Sequence, residues 1–300
     1  MSADLRQMRY FVAVAEHGNF TRAAQDLHVA QQAVSQQVRA LESTLNVTLL
    51  RRSSRKVELT PAGEVFLADA RRVIAASDRA VRRVQAAARG EAGTLRVVYT
   101  VVTAYDTAPT LLELLHKRHP ELKVSAREVY GGEVFDLVQR GECDIALMAM
   151  APLPPGLRQR LVRREVLRLA VNDRHPLAGA DQVDLSELRD ERFEVWPRGL
   201  APGYYDVVIG ACHAAGFEPA LTELGAGSTV WCRSIALGRA VGLVVGSLRE
   251  QLPAGLALVD LAPPRPTLAI NAVWSEDSDA TKVDRLLNAA TALAAEHDWH

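Results

Sequence analysis

Five side chains between positions 31 and 39 have the types and spacing needed to read DNA bases. They are Gln31, Gln32, Ser35, Gln36 and Arg39. Amide and guanidinium groups form paired hydrogen bonds with base edges in the major groove, and this segment has few carboxylates that would repel phosphate. A glutamine-rich helix face is ordinarily only solvated, so the prediction of DNA contact also depends on the elements that position these residues.

The surrounding apolar residues predict three helices. Val34, Val38, Leu41 and Leu45 recur at helical spacing and place the five polar residues on the opposite, solvent-facing side. Two apolar stripes precede them, formed by Leu5, Met8, Phe11, Val12 and Ala15, and then by Phe20, Ala23, Ala24 and Leu27. With Asn19 or Thr21 as a cap and a tight connection at 28–30, this pattern is typical of a helix-turn-helix.

A basic hairpin is predicted after the third helix. Two short extended pieces within 50–60 flank a polar turn that carries the basic side chains Arg51, Arg52, Arg55 and Lys56. Such a wing gains binding energy near phosphates or in a minor groove by counterion release. Residues 1–60 hold eight Lys and Arg against five Asp and Glu, a balance of +3, whereas the whole chain has −1. The basic character is therefore confined to this end.

Several strings in the first 65 or so residues resemble the LysR-type transcriptional regulators. They are the run 11–24, Leu27, Gln31, Val34-Ser35, Leu41-Glu42 and the run 59–63. The resemblance implies a winged helix-turn-helix over 1–60, with Gln31, Gln32, Ser35, Gln36 and Arg39 facing the major groove and Arg55 in the wing. The chain departs from the family at Leu50, where Phe is usual.

Residues 61–92 are predicted to form a linker helix, because no Gly or Pro occurs between Gly63 and Gly90. A heptad seam runs along it through Leu67, Ala70, Ile74, Ser77, Val81, Val84 and Ala88. The seam favours self-association, although packing of the same face on its own chain is also compatible with the pattern. The resemblance implies a homodimer through this helix, and commonly a homotetramer.

Residues 93–300 change to alternating strands and helices, which predicts βαβ units and a parallel sheet. The predicted strands are 94–100, 122–129, 144–150, 162–171, 193–196, 242–245 and 268–274, and the predicted helices are 109–119, 133–140, 203–215, 229–237 and 279–296. Two lobes follow, lobe I over 93–162 and 269–300 and lobe II over 163–268. The strings 141–146 and 175–178 resemble the LysR effector domain, which implies a two-lobed α/β fold like that of type 2 periplasmic binding proteins.

A cleft between two such lobes is a predicted small-molecule site, because ligands bind beyond the carboxyl ends of strands and at helix N-termini. The candidates are Thr100, Val102, Thr103, Gly131, Gly132, Met148, Arg198, Tyr204, Tyr205, Ser228 and Thr229. The hydroxyl residues could equally be helix caps and the glycines a turn. Arg198 suggests an acidic effector, whereas the Gly131-Gly132 pair departs from the Ser or Thr that the family often has there.

Composition excludes several other classes of protein. The chain of 300 residues is 48% hydrophobic, with no signal peptide and no apolar run of membrane length, so we expect a cytoplasmic protein without membrane contact. Cys143, Cys212 and Cys232 form no Cys-x-x-Cys, so buried thiols are favoured over a redox pair and no metal site is expected. No catalytic or nucleotide-binding motif occurs, so neither an enzyme nor a cofactor is expected.

The sequence therefore predicts a sequence-specific DNA-binding regulator whose activity is controlled by a small molecule between the two lobes. Its expected partners are duplex DNA with dyad symmetry, a second copy of the chain, the small-molecule effector and RNA polymerase. Two alternatives remain. In one, the C-terminal lobes serve only oligomerisation or a partner protein. In the other, the chain is a two-lobed solute-binding receptor, which would require a secretory signal and no helix-turn-helix.

Overall fold

A computed structural model describes residues 3–52, 56–88, 93–223, 228–297 and 299. The chain divides into two compact units, Met1–Ala92 and Gly93–His300. Each unit has its own buried core.

The first unit contains the three predicted helices, the hairpin and the linker helix. Its elements are α1 (Leu5–His17), α2 (Phe20–Asp26), α3 (Gln31–Leu45), β1 (Leu50–Arg52), β2 (Val57–Leu59) and α4 (Pro61–Ala88). The Asp4 side chain caps α1, and Gly18 ends that helix at φ 58°, in the left-handed region that glycine adopts without strain. Asn19 caps α2 by accepting hydrogen bonds from the backbone N–H groups of Thr21 and Arg22.

The start of α4 is tied to the hairpin. The Thr60 hydroxyl donates to the Thr48 carbonyl at 2.8 Å and accepts from the Gly63 N–H at 3.0 Å. A Cβ atom at Gly63 would lie 2.1 Å from the Leu49 carbonyl oxygen, so only glycine permits this approach. The wing and the linker helix are thereby held in one arrangement.

At the N-terminal end of α4, the residues of the predicted seam pack within their own chain and not against a second copy. Ala70 is fully buried and Leu67 packs in the core that α1 and α3 form, so these two residues contact their own chain. Ion pairs between Arg71 and Glu16 at 2.7 Å and between Arg9 and Asp78 at 2.5 Å join α4 to α1. The sequence pattern could not separate this contact from a contact with a second copy, because both use an apolar stripe.

Towards the end of α4 the seam residues are open to solvent. Ile74 and Ser77 are half-buried, whereas Val81 and Val84 are 54% and 71% exposed. These two valines stay candidates for contact between copies.

The second unit alternates strands and helices as predicted. Its elements are β3 (Leu95–Tyr99), α5 (Val101–Ala104), α6 (Thr107–Arg118), β4 (Val124–Glu128), α7 (Gly131–Gln139), β5 (Ile145–Ala149), β6 (Leu157–Asn172), β7 (Gln182–Val183), β8 (Arg192–Val195), α8 (Pro202–Ala214), β9 (Ala220–Glu223), α9 (Ser228–Ala236), β10 (Gly242–Val245), β11 (Leu256–Leu261), β12 (Thr267–Ser275) and α10 (Ala280–Glu296). Short 3-10 helices lie at Leu185–Leu188 and Gly246–Gln251. The sequence did not predict α5, β7, β9 or β11.

One sheet runs through both lobes in the order β4-β3-β5-β12-β6-β11-β7, and β10 also pairs with β6. Strands β4, β3 and β5 are parallel, as predicted, but β12 is antiparallel to both β5 and β6. The parallel sheet predicted from the first three strands is therefore confirmed, and β12 adds an antiparallel member whose direction the sequence did not predict. Strand β12 returns from the second lobe and enters the first lobe in the opposite direction. A local apolar pattern does not indicate the direction of a strand.

Strand β6 belongs to both lobes. Residues Leu157–Val166 pair with β12, and the following residues to Asn172 pair with β10 and β11. The apolar pattern predicted this strand only over 162–171, because its beginning exposes Arg158, Gln159 and Arg160. As predicted, α10 returns to complete the first lobe, where Leu286 and Leu293 pack with Leu111.

Candidate nucleic-acid interface and effector cavity

The polar face of α3 is turned to solvent. Gln31, Gln32, Gln36 and Arg39 are exposed and Ser35 is half-buried. On the opposite face Val34, Val38 and Leu41 are fully buried. The predicted side chains are thus presented together on one rigid helix, which leaves their hydrogen-bonding groups accessible to base edges.

The hairpin next to α3 carries the predicted basic residues. Leu50 pairs with Leu59 and Arg51 with Glu58 across β1 and β2, which confirms the hairpin. Arg51 and Lys56 are exposed, and Lys56 Nζ lies 3.0 Å from a Glu58 carboxylate oxygen. Arg52 pairs with Val57 in the hairpin, and Arg55 lies outside the described residues.

A small cavity lies between the two lobes of the second unit. Its walls contain five of the predicted residues, Thr100, Val102, Gly131, Met148 and Tyr204. The other lining residues are Val101, Val129, Tyr130, Ala149, Leu200, Ala201, Pro202 and Gly203. No charged side chain lines it in the described part of the chain. The free space is about 20 Å³, which is room for one water molecule.

Glycines allow the backbone to close this cavity. The Gly131 N–H, at the start of α7, donates to the Leu200 carbonyl at 2.7 Å. A Cβ atom placed at Gly131 would lie 2.8 Å from the Leu200 carbonyl oxygen, and one placed at Gly132 would lie 2.4 Å from the Gly199 carbonyl oxygen. A Cβ atom placed at Gly203 would lie 2.1 Å from the Met150 carbonyl oxygen. Gly132 thus allows the two lobes to approach each other but does not line the cavity. The sequence marked the glycine pair, but the partner backbone 70 residues away left no local signal.

Thr100 supplies an unpartnered polar group in the cavity wall. It is only 6% exposed, and its hydroxyl has no hydrogen-bond partner among the described residues. An unpaired buried hydroxyl costs about 1–3 kcal/mol, so a ligand atom that bonded to it would recover that energy. Thr103 is different, because its hydroxyl donates to the Thr100 carbonyl at 2.8 Å and it lies outside the cavity lining.

Comparison with known proteins assigns both units. A family model described as the lysR-family bacterial regulatory helix-turn-helix protein matches residues 5–64, and the LysR substrate binding domain matches residues 88–295. The chain belongs to the LysR family.

Similar LysR-type proteins cover almost the whole chain. TcbR of Pseudomonas sp. (strain P51) is 35% identical over 82% of this chain and 83% of its own length. ClcR of Pseudomonas putida is 32% identical over 95% of this chain and 97% of its own length. Both are HTH-type transcriptional regulators. The present protein is accordingly a LysR-type DNA-binding transcriptional regulator with an effector-binding domain.

Solved structures agree with this assignment. CbnR, a LysR family transcriptional regulator, matches with 30% identity and a TM-score of 0.62 over 96% of this chain and 98% of CbnR. Full-length CbnR complexed with its target DNA matches with the same identity and TM-score, over 96% and 99%.

In this LysR-type regulator Arg198 does not reach the cavity. Its side chain is 63% exposed, and Nε and Nη2 bind the Asp206 carboxylate at 2.7 and 3.0 Å. The hydrogen bond from Arg198 lowers the pKa of Asp206, so the pair is ionised at neutral pH. Arg198 is therefore not brought to the cavity in this arrangement, and an acidic effector stays a prediction. The sequence could not show that a carboxylate eight residues later would occupy the guanidinium.

Three further predicted residues stand apart from the cavity lining. Tyr205 is half-buried, one position beyond the lining residue Tyr204 on α8. Ser228 and Thr229 begin α9, as predicted, but their side chains lie outside the described part of the structure.

The cysteines are buried and free. Burial raises the pKa of both Cys143 and Cys212 to about 12, so these thiols are protonated and poor nucleophiles at neutral pH. This agrees with buried thiols rather than a redox pair. Among the described residues, no group of three or more potential metal ligands comes together. No helix in the described ranges is long and apolar enough to cross a membrane.

Proposed function

We propose that this LysR-type regulator reads one half of a dyad-symmetric operator with the exposed face of α3, while the hairpin contacts phosphates. The observation that carries the proposal is the division of α3 into a polar exposed face and a buried face made of Val34, Val38 and Leu41. A single helix contacts only a few base pairs. Two copies related by a two-fold axis would read two half-sites and so gain specificity.

The proposal includes assembly through the C-terminal part of α4. Val81 and Val84 present apolar side chains to solvent there, and burial against a second copy would remove that surface from water. The proposed setting is the bacterial cytoplasm, where the operator is located. RNA polymerase is the further partner that a transcriptional regulator needs.

The proposed effector site is the cavity between the lobes. Thr100 would hydrogen-bond to the effector, and the apolar walls formed by Val102, Met148 and Tyr204 would enclose it. Because the closed cavity has room for about one water molecule, a larger effector requires residues 199–203 to move away from α7. We propose no catalytic step and no cofactor for this site.

Substitutions on α3 and in the hairpin test the DNA-reading proposal. We expect Gln36→Ala to lose about 1–3 kcal/mol on an operator selected from random duplexes and almost nothing on random DNA, since base contacts are sequence-specific. Lys56→Ala should weaken both duplexes alike and reduce the salt dependence. The measurement is fluorescence anisotropy with labelled duplexes at several salt concentrations.

Gln182→Ala is the matched control, because Gln182 is exposed and lies in the second unit, far along the chain from the reading face. It should bind both duplexes like the wild type. An equal loss of operator and random DNA in Gln36→Ala would refute the proposed role of α3.

A further inference from the structure

A second and larger cavity lies near the far end of α5. Its volume is about 300 Å³, which is at the lower end of the range for small-molecule sites. The lining residues are Tyr105, Cys232, Arg233, Ala236, Leu248, Gln251, Pro253 and Ala254. They come from three segments: the residue after α5, the helix α9 and the stretch 248–254.

Most of this wall is apolar. Ala236, Leu248, Pro253 and Ala254 contribute aliphatic surface. Cys232 adds to it, because burial raises the pKa of its thiol and keeps the thiol neutral. A hydrocarbon body would therefore find favourable contacts on several sides.

Arg233 is the single cationic residue among those that line this cavity. Its side chain is exposed, and it forms no ion pair within the described chain. The guanidinium of Arg198 is held by Asp206, and Arg168 and Arg249 share Asp260. Since a guanidinium binds a carboxylate through two parallel hydrogen bonds, Arg233 offers an anion contact that the described residues leave open.

We propose that this cavity is a second small-molecule site of the regulator, for a monocarboxylate with an apolar body. The carboxylate would lie on Arg233 and the body between Leu248 and Pro253. This site is distinct from the cavity between the lobes and does not depend on that cavity binding an effector.

The position of the site gives its occupant access to the rest of the effector-binding domain. Gln251 Nε2 donates to the Tyr105 carbonyl at 3.0 Å, so the cavity wall already joins 248–254 to the end of α5. The other end of α5, with Val101 and Val102, lines the cavity between the lobes. A ligand in the second cavity therefore contacts the segment that also shapes the first.

The test uses 1-naphthoate and its neutral analogue 1-naphthalenemethanol as probes for the full-length protein. Binding is followed by isothermal titration calorimetry. The wild type should bind 1-naphthoate at least 10-fold more tightly than the alcohol. Arg233→Ala should remove this preference, because the charged contact is lost while the apolar walls stay in place. Ala254→Trp should abolish binding of both probes by filling the space.

Arg174→Ala is the matched control. Arg174 is exposed and lies outside the cavity lining, so its loss should leave both affinities unchanged. Circular dichroism would establish that each variant is folded. The proposal is overturned if the wild type does not prefer 1-naphthoate, if Arg233→Ala keeps the preference, or if folded Ala254→Trp binds as the wild type does.

Discussion

At the scale of single residues, two glycines on α8 have opposite surroundings. A Cβ atom at Gly203 would lie 2.1 Å from the Met150 carbonyl oxygen, whereas a Cβ atom at Gly210 would meet nothing within 4 Å. The same substitution on the same helix therefore tests whether the lobes are in close backbone contact in solution.

We expect Gly203→Ala to lower the free energy of unfolding by about 1–3 kcal/mol, since the new methyl group must push backbone apart. Gly210→Ala should raise it by about 0.5–1 kcal/mol through helix propensity. Urea unfolding followed by tryptophan fluorescence measures this, because all four tryptophans lie in residues 93–300. Equal effects of the two substitutions would contradict the closed contact.

At the scale of elements, an ion-pair cluster joins α6 to the strand that runs through both lobes. Arg163 of β6 pairs with Asp106, the residue that precedes α6, and with Glu165 at 3.1 Å. The Arg163 guanidinium also lies 4.8 Å from the centre of the Trp299 ring. Burial opposes the ionisation of Asp106, but hydrogen bonds from Arg163 and Thr110 outweigh it and lower its pKa below the ordinary 3.8.

This cluster predicts a pH-dependent contribution to stability. A carboxyl group whose pKa is lower in the folded protein stabilises it fully above pH 3.8 and loses that effect as the pH falls through the folded-state pKa. We expect Asp106→Asn to cost about 1.5–3 kcal/mol at pH 7 and progressively less below pH 3.8. The control is Asp190→Asn, an exposed aspartate. A cost that stayed constant with pH in the urea experiment would rule out the electrostatic origin.

The linker helix gives a second prediction for an element. Val81→Asp with Val84→Asp should leave the folded chain intact, because both valines are exposed, but should bury like charges if α4 joins two copies. We expect monomers in sedimentation velocity and at least a 100-fold loss of operator affinity, since the two reading helices are no longer linked.

Ala76→Asp is the control for this pair, because it adds a charge at an exposed position of the same helix that lies outside the seam. Ile74→Asp is unsuitable, since Ile74 is half-buried within the chain. Dimers that persist in the double-valine variant would exclude this part of α4 as the main interface.

At the scale of the whole molecule, the closed contact between the lobes suggests how an effector would act. A ligand shifts an equilibrium only by binding one arrangement more tightly, and effector and operator must then change each other's affinity by the same factor. Because the closed cavity has room for about one water molecule, an effector bound at the proposed site would favour an arrangement in which residues 199–203 have moved away from α7.

Gly132→Ala should imitate that effect without any ligand. Its Cβ atom would lie 2.4 Å from the Gly199 carbonyl oxygen and so disfavour the closed arrangement. We expect a changed DNase I footprint and bend angle on the operator, with Gly210→Ala behaving as the wild type. If Gly132→Ala is folded and its footprint and bend angle equal those of the wild type, lobe closure is not coupled to DNA.

The sequence by itself determined the elements that depend on neighbouring residues. The helical spacing of Val34, Val38 and Leu41 decided which side of α3 is buried and therefore which glutamines are exposed. The helix at 61–88 followed from the absence of Gly and Pro between Gly63 and Gly90, and β10 from its short apolar run. These features are local, so their signals lie within a few residues of each other.

Tertiary structure alone decided which residues meet across long separations. It placed Asp206 on Arg198, turned β12 antiparallel to β5, and divided the α4 seam between contacts within the chain and exposed valines. It also brought residues 199–203 onto Gly131 and thereby closed the cavity. Each of these outcomes depends on packing between segments distant in sequence, or on whether an apolar stripe packs within its own chain or against a second copy. Apolar periodicity carries no information about either.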